Sequence, residues 1–164
     1  MTTRRTVLAA GAAVLAAGCG SRRPEAERRE AAEGPVRTDT APLERRFPLL
    51  GRLHGAHWLG YDLVAGNDGR SVPGPSDVRV VGVAALTDGR VAALTAHHDF
   101  RPASLPVLPG RLAGFLPADA RWLRSGSFDA EITADAYSGS FLLSQARGLV
   151  CFDSINPVAA APSP

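Results

Sequence analysis

Four histidines and a neighbouring acid are the side chains best suited to chemistry in this 164-residue chain. They fall in two pairs, His54/His57 and His97/His98, with Asp99 adjacent. Metal binding wants several imidazole nitrogens converging on one ion. On a strand, residues one or three apart face opposite sides. At most one histidine of each pair would then meet the other, so His57, His97, His98 and Asp99 make an incomplete ligand set. The plainer reading is histidines at strand ends facing solvent, and no metal site is assigned.

Other reactive patterns are equally sparse. No Gly-x-Ser-x-Gly run occurs, and Ser125-Gly126-Ser127 and Ser138-Gly139-Ser140 read as turn chemistry. A Ser–His–acid set would have to be assembled from residues distant in sequence. Asp129 and Glu131 would share a face if their segment is a strand. Paired carboxylates can do acid–base work when their pKa values are pushed apart, but exposed alternation uses the same letters. Gly66-Asn67-Asp68-Gly69 reads as a turn without the acidic ladder of a calcium loop. No phosphate-cradling glycine loop is present, so no cofactor is expected. Trp58, Tyr61, Phe100, Trp122, Phe128, Tyr137, Phe141 and Phe152 are needed to fill a small core. A surplus aromatic beside an arginine would make a ligand patch.

The two cysteines stand in different company. Cys151 sits in Leu149-Val150-Cys151-Phe152, where burial as a small hydrophobe is the natural role. A reactive thiolate there would need a histidine or a positive site beside it. Cys19 follows a charged start, Arg4-Arg5, an apolar run over 7–17, and the small residues Ala16, Ala17 and Gly18. The run has the length of a signal-peptide core and falls short of the roughly 20 residues a spanning helix needs.

Leu15-Ala16-Ala17-Gly18-Cys19 resembles the lipobox of bacterial lipoprotein signal peptides, with the leucine one place earlier than the family's usual spacing. Thr3-Arg4-Arg5-Thr6-Val7-Leu8 resembles a twin-arginine export signal. The resemblance covers residues 1–20 alone. It implies that residues 1–18 are removed, that Cys19 is acylated, and that the protein is held on the extracytoplasmic face of the cell membrane. The secretory and twin-arginine routes both stay open. Gly20 is not the aspartate that retains many lipoproteins at an inner membrane, so an outer membrane stays open as well.

Charge excludes one partner class. All 18 basic residues are arginine, and two of them lie in the leader. From Cys19 onward 16 arginines face 16 acids. No net basic face is available to displace counterions from phosphates, so nucleic acid is not an expected partner. Residues 19–46 are charge-dense and broken by Pro24, Pro35 and Pro42, and read as a disordered tether. Such a coil would reach on the order of 30 Å.

The element pattern over 47–157 predicts one mainly β domain: a small antiparallel sheet of about five strands, a Pro-rich crossover, and one or two short helices at most. An α+β arrangement is the alternative. Val78–Leu86 and Val91–Ala96 flank Asp88-Gly89 and predict a hairpin. Ser140–Ser144 and Leu149–Phe152 flank Gly148 and predict a second. Residues 58–64 predict another strand, with Leu59, Tyr61 and Leu63 on one face. Residues 101–117 carry four prolines and should wrap the sheet, placing Leu105, Val107, Leu108, Leu112, Phe115 and Leu116 against it. Residues 119–123 suggest one helical turn, 128–133 suit strand or helix, and 158–164 read as a frayed tail. The function these features suggest is a noncatalytic binding module at the cell envelope, with an envelope protein or other envelope component as partner. A small envelope hydrolase is the alternative, and a metal-binding lipoprotein a third.

Overall fold

Val78–Leu86 is apolar on both faces, and a strand of that kind needs neighbours on both sides. The computed structural model, which describes residues 33–63 and 77–159, supplies them. In chain order the elements are α1 (Ala41–Arg46), β1 (Leu53–Asp62), β2 (Val78–Leu86), α2 (Arg90–Thr95), β3 (Arg101–Pro102), β4 (Leu123–Arg124), α3 (Gly126–Thr133), β5 (Ser138–Ser144) and β6 (Leu149–Ile155). Short 3₁₀ turns cover Pro48–Leu50 and Gly110–Phe115. Among the described residues the sheet has six strands in the order β1-β2-β6-β5-β4-β3, every neighbouring pair antiparallel. The fold is mainly β and antiparallel, as the apolar runs predict. The leader with Arg4 and Arg5, Cys19, the first part of the tether and the 66–69 turn lie outside the described residues.

Period-two alternation divides the core between the two sheet faces. Val80, Ala84 and Leu86 of β2, Phe141 and Leu143 of β5, and Val150 and Phe152 of β6 face one side. There they meet Leu43, Phe47, Leu50, Val91, Leu94, Phe128 and Ile132 from the helices and turns. Val81, Val83, Leu142 and Cys151 face the other side. The Pro-rich crossover covers them with Leu105, Leu108, Leu112 and Leu116. Arg79 and Asp153 pair across the β2–β6 ladder at 2.7 Å, and Arg79 also donates to Val107 O at 3.2 Å, which pins the crossover to the sheet.

The β5–β6 hairpin forms as expected, with Gly148 at φ +62° in its turn. The other expected hairpin does not. Gly89 takes positive φ (+75°), but the chain then enters α2 instead of returning as a strand. Both edges of β2 are already taken by β1 and β6. Val91 and Leu94 stand three apart on one buried helix stripe, and Ala92 and Ala93 are strong helix formers left facing water.

Three further expectations are corrected, and one open choice is decided. The tether does not run to residue 46: Arg37 and Trp58 exchange backbone hydrogen bonds of 2.8 and 3.0 Å, and Leu43 on α1 is fully buried. One well-placed leucine and a strand-like bridge outweigh a charge-rich local composition. Residues 119–123 end in β4, not a helical turn, because Leu123 and Arg124 pair with Leu143 and Leu142. Residues 128–133, which suit strand or helix, are helical, so the condition for Asp129 and Glu131 to share a face is not met; Asp129 is buried and Glu131 exposed. On the crossover, Val107 points outward at 92% exposure, whereas Phe115 does lie against the sheet, stacked on His57 of β1 with ring centroids 3.8 Å apart.

Candidate functional sites

Two regions of the domain can do something beyond holding the fold. The first is a cleft of about 750 Å³ under the outer end of the crossover. Ala103 N–H donates to Trp122 O at 3.0 Å, which extends the β3–β4 pairing and sets the cleft's inner wall. Trp122 is 7% exposed, with its ring packed on Val83, Leu142 and Cys151. Pro102, Ala103, Leu105, Leu116 and Pro117 add an apolar lining. Ser104 and Arg121 bring polar groups to it, and Arg121 makes no ion pair among the described residues. An apolar body with few polar groups is the common make-up of a small-ligand site.

The second region lies where the loop after α2 meets the start of α3. Ser125 caps α3: its backbone is extended, and its Oγ accepts from Phe128 N–H at 3.5 Å. Ser127 Oγ lies 3.0 Å from Ser125 Oγ and 3.2 Å from His98 Nδ1. His98 Nε2 lies 2.9 Å from Glu131 Oε2, one helical turn beyond Ser127. The imidazole packs edge-on against Phe128 and Phe100, with centroids 5.3 and 6.2 Å away. By local sequence Ser125-Gly126-Ser127 is turn chemistry, and nothing in residue order joins it to His98. The signal that could have found it was the i,i+4 spacing of Ser127 and Glu131, visible only once the segment is taken as a helix.

Beneath this cluster Asp129 holds α3 to the sheet. Its Oδ1 accepts from Phe141 N–H at 2.8 Å and its Oδ2 from Arg124 Nε at 2.7 Å. Burial pushes its carboxyl above the ordinary aspartate value, against the opposing pull of Arg124 and the Phe141 N–H. Burial likewise pushes the Cys151 thiol up to about 12, with a smaller contribution from Asp153. That thiol is fully buried and free, the inert small hydrophobe its neighbours predict.

The histidines and acid weighed as metal ligands do not come together. His57 stacks on Phe115, His97 is exposed, His98 binds Ser127 and Glu131, and Asp99 pairs with Arg101 at 2.7 Å. Among the described residues no group of three or more metal-ligating side chains converges. No helix among them is long and apolar enough to cross a membrane. No known protein family, curated protein or solved structure matches the chain.

Proposed function

We propose that this chain is an exported lipoprotein, anchored through acylated Cys19 on the extracytoplasmic face of the membrane, whose domain binds an envelope component in the Trp122 cleft. The observation that carries the reading is the run Leu15-Ala16-Ala17-Gly18-Cys19 behind Arg4-Arg5. A thioether-linked diacylglycerol buries many methylenes at about 0.8 kcal/mol each, enough for stable anchoring. The residues between Cys19 and residue 33 then serve as a short spacer. The cleft supports the binding half. Its apolar lining suits a hydrocarbon chain, and Arg121, which has no ion pair among the described residues, suits an anionic group on the same molecule. An anionic amphiphile of the envelope meets both demands.

The test uses the leaderless chain beginning at Gly20, titrated with laurate and with lauryl alcohol. Saturable laurate binding that weakens about 5-fold in Arg121→Ala, the scale of one exposed ion pair, supports the reading. Loss of binding in Trp122→Leu supports the location. Equal, unsaturable uptake of both compounds by every variant contradicts it.

A further inference from the structure

The His98 cluster has a hydrogen-bond polarity that follows from its chemistry. An ionised Glu131 can only accept, so the proton of a neutral His98 sits on Nε2. Nδ1 is then bare and accepts from the Ser127 hydroxyl at 3.2 Å. With that proton committed, Ser127 Oγ accepts in turn from Ser125 Oγ–H at 3.0 Å. Every donor thus has one acceptor along the line Ser125, Ser127, His98, Glu131. Nucleophile, base and orienting acid stand in the order that activates a serine. The N–H groups of Gly126 and Ser127 open the eight-residue helix α3, where no intrahelical acceptor exists. They are donors without an intrahelical partner, adjacent in sequence to the hydroxyl, and can serve a developing oxyanion.

We propose that Ser127, His98 and Glu131 form a hydrolytic site for unhindered carboxylic esters. Ser127 Oγ bonds to the carbonyl carbon while its proton passes to His98 Nδ1. Glu131 stabilises the resulting imidazolium through Nε2–H. The tetrahedral intermediate collapses, the C–O bond to the alcohol breaks, and His98 returns its proton to the departing oxygen. Water then attacks the acyl-serine, giving one proton to His98, which restores the Ser127 hydroxyl. The products are the carboxylic acid and the alcohol, and water is the only co-reactant. Two features select this substrate class. Ser127 is exposed, so the site does not enclose an acyl chain and takes acyl groups presented from outside. A water-accessible site stabilises the oxyanion less than a dry one does, which favours esters over the less reactive amides.

This site is independent of the cleft. His98 packs on Phe128, part of the core on the first sheet face, whereas the cleft wall Trp122 packs on the second. A failed amphiphile titration therefore leaves the ester site standing, and the reverse holds.

The leaderless chain is treated with a fluorophosphonate and digested for mass spectrometry, and 4-nitrophenyl acetate hydrolysis is followed in parallel. The expected result is a phosphonyl group on Ser127. Hydrolysis should fall about 100-fold in Ser127→Ala and in His98→Asn, the lower end of what a positioned base contributes. Glu131→Gln should retain labelling at a reduced rate, and Ser138→Ala should behave as the parent. Because the Ser127 side chain is exposed, Ser127→Ala keeps the parent melting temperature, and the parent's own labelling decides the matter even where His98→Asn is unstable. An unlabelled Ser127, labelling that ignores both His98→Asn and Glu131→Gln, or unchanged hydrolysis in Ser127→Ala overturns the proposal.

Discussion

Gly82 on β2 lies directly against Trp58 on β1, its cross-strand partner, with no room for a side chain between them. A Cβ at Gly82 would stand 2.5 Å from both Trp58 Cβ and His57 O. These are backbone or near-backbone atoms that cannot swing aside. Trp58 is fixed in turn by Nε1–H donating to Asp39 O at 2.9 Å and by the Arg37 guanidinium 4.0 Å above its ring. Gly82→Ala should therefore cost at least about 3 kcal/mol, the upper end of overpacking. The check is the urea midpoint, with Gly110→Ala as the comparison, because a Cβ there meets open space.

The domain begins well before residue 47. Leu43 and Phe47 are fully buried, and Phe47 sets its ring edge-on to Phe141 at 5.1 Å. Glu44 Oε1 accepts from Leu53 N–H at 3.0 Å, tying α1 to the start of β1. A chain starting at residue 33 should melt cooperatively like the leaderless protein, whereas one starting at residue 47 should not. Leu43→Ala in the longer chain should lose about 2–5 kcal/mol.

Asp129 takes over where β4 stops. Beyond Arg124 the ladder beside β5 has no further strand residue, and the Phe141 N–H donates to the carboxylate instead. Asp129→Ala strands that buried donor, at about 1–3 kcal/mol. Asp129→Asn keeps an acceptor oxygen and should recover most of the loss. Chemical denaturation of both variants measures the difference.

Cys151 gives the fold an alkaline limit. Its folded thiol is held up to about 12 from an ordinary 9.0 by burial. Above pH 9 the unfolded chain releases this proton and the folded chain keeps it, so the unfolded state binds fewer protons. Stability then falls as pH rises from about 9 towards 12, by at most about 1.4 kcal/mol per pH unit. Tyr137, whose hydroxyl is also raised by burial, adds the same sign above its ordinary 10.0. Cys151→Ala should flatten the part of the slope between pH 9 and 10, measured as urea midpoints at pH 8, 9 and 10. The native thiol should resist iodoacetamide until the chain unfolds.

Much of the sheet was legible because it depends on local pattern. The apolar run of β2, the β5–β6 hairpin closed at Gly148 and the inward leucines of the crossover all follow from residue order. What escaped depended on partners far away in sequence. Val91–Ala96 carries β-branched and alanine residues that suit either state, and the filled edges of β2 decide for a helix. Residues 36–46 look like solvated linker because their attachment rests on buried Leu43 and on contacts to Leu53 and Trp58 that local composition does not show. The chemistry was harder still. His98 and Ser127 are 29 residues apart, and only the docking of α3 on the sheet brings them together. Trp122 was readable as a core aromatic, but its second role as a cleft wall depends on how the crossover lies over it.

The most direct measurement is the intact mass of the amino-terminal peptide from membrane-extracted protein expressed in a bacterium with its lipoprotein machinery. We expect a chain that starts at Cys19 and carries a diacylglyceryl thioether, and release of the protein from the membrane fraction in Cys19→Ala. A free Cys19 thiol in a chain that still begins at Met1 would contradict the account.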